Sequence, residues 1–567
     1  MGNKASIEKP WLQHYGHIPH SLSYPDKSLW ETVFDTIEKH PKVNALNYFG
    51  SAITYKQLHE KIERCAKAFK ALGVQRGDKV TICMPNTPEA VYSFYAVNML
   101  GAVANMIHPL SAENEIKRFV NITDSRIIVA INISAEKISN IINETCIEKV
   151  IVASPKDSMP PLLGVGYQMT KGRKVTKVSH PKFVSFESFL SGSNNFKGDF
   201  AIKGKSDDPA AILYSGGTTG ESKGIILTNL NLNAIAVQGL AMTDCIEPGD
   251  RILAIMPVFH GFGLALCVHI ALYAGVTSVL VPQFDMKTFH KLLAKHKPNI
   301  MAGVPTLYEA LMRNKKMEGL DLSFLKCVLS GGDSLSVQMK ERVDNFLKEH
   351  NANVQVREGY GLTESVTGSC LNPKNNTRAG SVGIPLPDTI LKIVNRETNE
   401  ELNYGEEGEI CVTGPTTMQG YMGDEEETNR VLQTHEDGQL WLHTGDLGYM
   451  EPDGFIHFRQ RIKRMIITSG YNVYPQIVEQ VLESHPAVAY SSVIGLPDAY
   501  SGQKVKAYIV LNNGFATTEE TQNSIKKHCE MNIAKYAMPK EFEYKDSLPK
   551  TLVGKVNYRA LELENAK

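Results

Sequence analysis

The sequence predicts an α/β protein with a large N-terminal domain of two αβ-layered subdomains plus a β-rich subdomain, and a small α+β C-terminal domain. Three observations predict it. Helical patterns alternate with short apolar runs early in the chain, the rhythm of parallel strands covered by helices. After about residue 380 short strands separated by Gly, Asp and Pro turns replace that rhythm. At 567 residues the chain also exceeds what one hydrophobic core supports.

Each element follows from its local pattern. Tyr55 to Leu72 places Leu58, Ile62, Ala66 and Phe69 at helical spacing, which predicts a helix. Lys79 to Met84 reads as a strand and Pro88 to Gly101 as the next helix; Ile127 to Ala130 and Lys149 to Val152 read as further strands. Phe262 to Val281 is an uncharged run of transmembrane length. His269 lies within it, Gly275 punctuates it, and Thr277 to Val281 has strand character. A buried helix followed by a buried strand is therefore expected. Glu409 to Val412 and Phe455 to Phe458 are short strands of the β-rich part. The tail combines helices near Pro475 to Ser484 and Thr518 to Ile533 with strands near Ala487 to Gly495 and Val505 to Leu511. The charged stretch Arg459 to Arg464 is the expected boundary, dividing the chain into 1–460 and 461–567.

Composition excludes several classes of function. Lys plus Arg is 60 against 61 Asp plus Glu, a net charge of −1, so no global field draws the protein to nucleic acid. Nine cysteines without a Cys-x-x-Cys pair form neither a disulfide framework nor a zinc-site spacing. The opening residues lack the apolar core of a secretory signal, and a cytoplasmic location is expected. Met1-Gly2-Asn3-Lys4-Ala5-Ser6 fits the N-myristoylation pattern, which is short and recurs by chance.

The strongest local signal is the run from Ala211 to Gly224, in which a buried strand enters a loop holding Ser215, Gly216, Gly217, Thr218, Thr219, Gly220 and Lys223. Glycines let backbone N–H groups approach an anion closely, hydroxyls add donors, and the lysine adds charge. The loop reads as a phosphate cradle. It is not a Walker A motif, because Ser222 stands where that motif needs Gly before Lys.

Four more motifs follow in chain order: Tyr360-Gly361-Leu362-Thr363-Glu364; Thr444-Gly445-Asp446; Arg461-Ile462-Lys463 with Ser469 to Pro475; and Pro549-Lys550-Thr551 with Gly554-Lys555. Tyr360 offers a flat aromatic face for stacking, Thr363 a hydroxyl donor, Glu364 a hard carboxylate suited to Mg²⁺ and Asp446 a carboxylate acceptor presented from a tight turn.

Together the five motifs resemble those of the adenylate-forming enzyme superfamily (acyl-CoA synthetases, luciferases and peptide-synthetase adenylation domains). The opening segments Lys9-Pro10-Trp11-Leu12 and Ser28-Leu29-Trp30 are most similar to bacterial-type medium- or long-chain fatty acyl-CoA synthetases. The resemblance implies a two-step ligase using ATP, Mg²⁺ and coenzyme A, with acyl adenylate as intermediate. It implies that Lys555 bridges the substrate carboxylate and the α-phosphate, that Arg461 is a second ribose or phosphate contact, and that Lys463 is the hinge of a mobile C-terminal domain. It implies that Ser469, Gly470 and Tyr471 border the thiol channel. His260, in Met256 to Gly263, resembles the histidine that flanks the carboxylate; a satisfied core histidine is the other reading. Phe259, Gly303 and Val304 are expected at the acyl pocket, and Gly332 and Asp333 at the adenine edge. The apolar stretch from Phe262 to Leu272 is either tunnel wall or plain core.

Departures from the family pattern are Gly216 for a hydroxyl residue, Ser222 for proline, Asp333-Ser334 for a small residue plus proline, and Gln460 for Asp. The expected partners are a small carboxylic acid, ATP and CoA, with no nucleic acid and no transmembrane segment, room for peripheral membrane association, and a monomeric or homodimeric state. An acyl-AMP ligase loading a separate carrier protein, and a non-catalytic nucleotide sensor, are the alternatives. Glu364 and Lys555 together weigh against the sensor, since holding AMP needs neither.

Overall fold

The apolar runs assemble into two large sheets in a computed structural model. It describes residues 4–176, 178–214, 222–468, 471–498, 501–551 and 554–565, apart from the side chains of Lys463, Tyr471 and Asn472. Ile127–Ile131, buried at every position, is typical of strands covered on both faces. It lies in an eight-stranded sheet ordered Gly420–Tyr421, Gly224–Thr228, Pro209–Tyr214, Val103–Met106, Lys79–Cys83, Ile127–Ile131, Lys149–Ala153, Phe183–Ser185. The first two strands are antiparallel to their neighbours and the rest run parallel.

The second sheet has nine strands with a parallel centre, Val356–Tyr360, Cys327–Ser330, Ile300–Gly303, Arg251–Ala254, Thr277–Leu280 and Asn44–Tyr48, flanked by antiparallel edges. Pro88–Met99 is buried at every position, and one continuous core joins both sheets. Tyr55–Ala71 starts on a capping box formed by Thr54 and Gln57, which satisfies the first free N–H groups of the helix.

The uncharged run from Phe262 folds inward as expected. Gly263–Ile270 is buried throughout, and Thr277–Leu280 is a buried strand. The helix is wound more widely than an α-helix, with i→i+5 bonds. A Cβ on Gly263 would lie 2.1 Å from the Pro257 carbonyl, so only glycine fits its start. Among the described residues no helix is long and apolar enough to cross a membrane.

After the second sheet comes an antiparallel sheet of Ile390–Val394, Gly408–Thr413, Leu440–Met450, Leu432–Thr434 and Ile456–Arg461. Arg459 to Arg461 belong to its last strand, and a single turn, Ile462–Arg464, leads on to the final sheet. That sheet, Tyr471–Val473, Ile466–Thr468, Gly502–Leu511, Val488–Asp498 and Glu541–Tyr544, carries the helices Pro475–Glu483 and Glu519–Asn532. It has a core of its own, including Ile466, Val478, Leu482, Ile509 and Ile525. The nine cysteines are free thiols, most of them buried.

Candidate active site

The carboxyl ends of the second sheet's parallel strands open into a cleft of about 1240 Å³, the place where α/β sheets hold ligands. Val356–Tyr360 delivers the buried Tyr360 to its wall. The chain then turns at Gly361, where a Cβ would come within 2.3 Å of the Thr367 carbonyl, so the turn requires glycine. Thr363 and Glu364 follow in the short turn Thr363–Ser365, and both line the cleft. The Tyr421 hydroxyl donates to Glu364 Oε1 at 3.0 Å, orienting the carboxylate with a neutral partner that leaves its charge for a cation. Burial and then the Glu364 charge raise the Tyr421 pKa, which keeps that hydroxyl protonated.

Asp446 comes from Leu440–Met450, one residue after Gly445 at φ +70°. Its side chain is 2% exposed. The Tyr360 hydroxyl donates to Oδ2 at 2.8 Å, and Arg461 Nε lies 3.3 Å from Oδ1. Beyond that ion pair Oδ1 accepts no hydrogen bond among the described residues, which leaves a buried acceptor that suits a ligand hydroxyl. Burial raises the Asp446 pKa, and the Arg461 guanidinium opposes that shift. The two partners face each other across the strand pair that joins Leu440–Met450 to Ile456–Arg461.

Lys555 reaches this wall from the last sheet's side. Thr551 closes its turn twice: its N–H donates to the Lys555 carbonyl at 2.7 Å, and its hydroxyl accepts from the Lys555 N–H at 3.1 Å. Gly554 sits at φ +87° in that turn. Lys555 Cε lies 3.3 Å from where a Cβ on Gly332 would be, and Gly332 is itself at φ +80°. Burial lowers the ammonium pKa, and nearby Asp333 opposes the shift. Polar contacts seat this part of the chain on the larger part. Thr306 Oγ1 donates to the Gly554 carbonyl at 2.9 Å, Gln476 Nε2 to Ser334 Oγ at 2.7 Å, and Arg313 Nη2 to the Leu511 carbonyl at 3.2 Å.

His260 lines the same cleft, with Nδ1 accepting from the Phe262 N–H at 3.2 Å. That bond leaves the proton on Nε2. Burial first, and then the Lys555 charge, push its pKa down to about 3, so the ring is neutral near pH 7. Phe259 packs on the His108 ring at 4.2 Å and borders the cleft with Val304 and Asp333. Gly303 does not reach the lining: it ends its strand one residue behind Val304, facing the Leu307 side chain. Of the apolar stretch from Phe262 to Leu272, only Phe262 borders the cleft, and the remainder is core.

Lys223 also lines the cleft, ion-paired with Glu427 and set 5.1 Å from the Tyr421 ring centroid. Glu427 is shared with Arg430, and these two cations, Arg430 foremost, hold its carboxyl near pKa 2. Ser215, Gly217, Thr218, Thr219, Gly220, Ser469 and Gly470 lie outside the described residues. The backbone of Lys463 lies in the turn Ile462–Arg464, and that of Tyr471 opens the strand Tyr471–Val473. Tyr421, Glu427 and Arg430 were not anticipated from the sequence. Tyr421 and Glu427 act through partners distant in the chain, which no local pattern reports, and Arg430 acts through Glu427.

Comparison with known proteins gives a consistent result. The family described as AMP-binding enzyme matches residues 33–422, and the AMP-binding enzyme C-terminal domain matches residues 477–555. The chain is 34% identical over 570 residues to a long-chain-fatty-acid–CoA ligase of Bacillus subtilis, covering 98% of this chain and 99% of that protein. It is 30% identical over 575 residues to a protein of the same name from Escherichia coli O157:H7, covering 98% of each. Among solved structures, the anthranilate CoA ligase AuaEII in complex with anthranoyl-AMP superposes with a TM-score of 0.82 at 25% identity, covering 98% of this chain and 100% of that one. ATP-bound MatB from Rhodopseudomonas palustris gives a TM-score of 0.81 at 26% identity, covering 95% and 98%.

Proposed function

The chain belongs to the AMP-binding enzyme family, and from that premise we propose that it is an AMP-forming ligase joining a fatty or other hydrophobic carboxylic acid to coenzyme A. The observation that carries the reading is Lys555, half-buried in the cleft beside Gly332 within the electrostatic reach of Asp446 and Arg461. A cleft that only held AMP would have no use for a desolvated ammonium.

In the first half-reaction a carboxylate oxygen attacks the α-phosphorus of ATP, the bond to the bridging oxygen breaks, and pyrophosphate leaves with that electron pair. Lys555 stabilises the negative charge that builds on the α-phosphoryl oxygens, where a fixed cation is worth most. Asp446 Oδ1 takes a ribose hydroxyl, Tyr360 braces the adenine side, and Thr363 donates to the α-phosphate. The neutral His260 presents Nε2–H to the acid without competing for its negative charge. Glu364 would hold Mg²⁺, which when bound neutralises phosphate charge. Lys223 and the loop around Ser215, Gly217, Thr218, Thr219 and Gly220 take the terminal phosphates, with Lys223 exchanging Glu427 for phosphate oxygens. In the second half-reaction the CoA sulfur attacks the acyl carbon, its proton is lost, and AMP departs.

The two halves need different linings. We assign 1–460 to the adenylation domain and 461–567 to a domain that swings about Lys463, withdrawing Lys555 and bringing Ser469, Gly470 and Tyr471 to the thiol. Relatives named long-chain-fatty-acid–CoA ligase make long-chain acids the first substrate class to test. A cytoplasmic monomer or homodimer is the form in which we expect it to act.

The test is a panel of short, medium, long-chain and aromatic acids, scored for pyrophosphate release, hydroxylamine-trapped acyl adenylate and thioester, with and without CoA. Acid-dependent pyrophosphate release followed by acyl-CoA is the expected result. Adenylate that transfers only to a carrier protein would redirect the second half. Nucleotide binding without pyrophosphate release from any acid would defeat the proposal.

A further inference from the structure

Behind the cleft wall the antiparallel sheet gathers a thiol and two imidazoles that the ligase reading does not use. Cys411 in Gly408–Thr413 stands directly opposite His443 in Leu440–Met450, so their side chains share one face of the sheet. The Cys411 sulfur lies 3.6 Å from His443 Nδ1. His435 joins them from the hairpin after Leu432–Thr434, where its N–H donates to the Gln439 carbonyl at 3.1 Å and its carbonyl accepts from the Gly438 N–H at 2.9 Å. One ligand atom from each of Cys411, His435 and His443 lies within 4.8 Å of the other two. The histidines are 8 residues apart and Cys411 is 32 from His443, a spacing that no sequence motif reports.

As a hydrogen-bonding cluster the group is incomplete. His443 Nδ1 faces Glu409 Oε2 at 3.1 Å, and the Gly445 N–H donates to Glu409 Oε1 at 2.9 Å. With its Nδ1–H given to the carboxylate, His443 keeps a free lone pair on Nε2. That atom meets His435 Nε2 at 2.9 Å, so the two rings share one proton between them. His435 Nδ1 is buried and has no partner among the described residues, so packing alone fixes which nitrogen this ring presents. A carboxylate behind a histidine whose other nitrogen is open is the arrangement that orients metal-binding imidazoles. Zinc bonds of about 2.0–2.3 Å set nitrogen and sulfur ligands about 3.3–3.8 Å apart, so the three atoms need shifts of only about 1 Å.

We propose that Cys411, His435 and His443 bind one zinc ion, with Glu409 as the outer partner of His443. A thiolate and two imidazoles select a borderline metal over Mg²⁺, which prefers oxygen ligands. Cys411 binds as the thiolate, and its proton passes to solvent. Glu409 and His443 line the cleft, which gives the ion a path in, whereas Cys411 is fully buried. The Lys392 ammonium on the neighbouring Trp441 ring is paired with Asp437 at 3.1 Å, which offsets its repulsion of the ion. The ion ties Gly408–Thr413 and Leu440–Met450 to the hairpin that carries His435. Through Glu409 and Gly445 the tie steadies the turn that presents Asp446. The proposal goes beyond the ligase reading and does not depend on which acid the cleft accepts.

Chelator-treated full-length protein is dialysed against Zn²⁺ with Mg²⁺ in excess, and titrated separately with Co²⁺. One zinc per chain and a thiolate-to-cobalt absorption band are expected. Cys411→Ser and His435→Asn should each lower zinc affinity by more than about 10²-fold, and Glu409→Gln by about 10–10²-fold, as for a lost outer carboxylate. Zinc should raise the melting temperature of the unmodified protein and leave that of the Cys411→Ser and His435→Asn variants unmoved. Metal-free melting like that of the unmodified protein shows that the variants fold. Failure of the unmodified protein to retain zinc, a cobalt spectrum without the thiolate band, or zinc affinity unchanged in both ligand variants overturns the proposal. Because the readout is metal binding, it stands or falls separately from acid-dependent pyrophosphate release.

Discussion

Lys555 and Gly332 meet across the cleft, the lysine Cε only 3.3 Å from where a Cβ on Gly332 would lie. Gly332→Ala therefore both displaces the ammonium and forces alanine to φ +80°, a conformation costing about 1–2 kcal/mol for a residue with a Cβ. Adenylation should slow by about tenfold or more, since a small misplacement of a reacting group is costly. Thioester formation from supplied acyl-AMP should change little, and comparing the two half-reactions reads this directly.

Lys555→Ala removes the charge altogether. Pyrophosphate release should fall by about 10²–10³, the usual loss for one transition-state donor. Acyl-CoA formation from pre-formed acyl-AMP should persist. An equal loss in both halves would mean that Lys555 serves as structure and not as the adenylation cation.

Tyr421→Phe deletes the bond that orients Glu364 while keeping the ring against Lys223. The Mg²⁺ concentration giving half-maximal adenylation should rise about tenfold to 10²-fold, as for one lost hydrogen bond to a charged group. Saturating Mg²⁺ should restore most of the rate. A magnesium titration of pyrophosphate release checks both points.

The cleft is legible in the sequence wherever a chemical group and a turn coincide in the chain. Tyr360, Glu364, Asp446 and Lys555 sit in or beside short glycine-containing segments, so composition and position point the same way. Tyr421 and Glu364 are 57 residues apart, and only the placement of Gly420–Tyr421 on the edge of the first sheet joins them. The run from Phe262 reads correctly as buried helix and strand, but nothing in its apolar pattern reports the wide winding or the close approach of Gly263 to the Pro257 carbonyl. Gly303 shows the opposite failure: a small residue beside the expected pocket makes room for Leu307 and not for ligand.

His269 should set part of the acid sensitivity. It is fully buried, with Nδ1 3.0 Å from the Tyr95 hydroxyl and Nε2 3.1 Å from Asn233 Oδ1, and burial pushes its pKa from 6.5 down to about 3. Between those values the unfolded chain binds a proton that the folded ring refuses. Stability is then fully present above pH 6.5 and is lost as pH falls toward 3, by up to about 1.4 kcal/mol per pH unit for this group. His269→Gln should cost about 1–3 kcal/mol at neutral pH through the Tyr95 and Asn233 partners. It should also flatten the pH dependence of denaturant midpoints across that window. An unchanged slope would mean that other groups set the acid limit.

Among the described residues, the bonds that cross between the piece carrying Lys555 and the larger part include Thr306 to Gly554 and Gln476 to Ser334. If nucleotide binds more tightly when that piece is seated, thermodynamic reciprocity requires the nucleotide to favour seating by the same factor. Thr306→Val should then lower measured ATP affinity although its hydroxyl bonds the Gly554 carbonyl and not the nucleotide. On that condition nucleotide affinity belongs to the assembled pair of pieces, and part of it is stored at a contact that the nucleotide never touches.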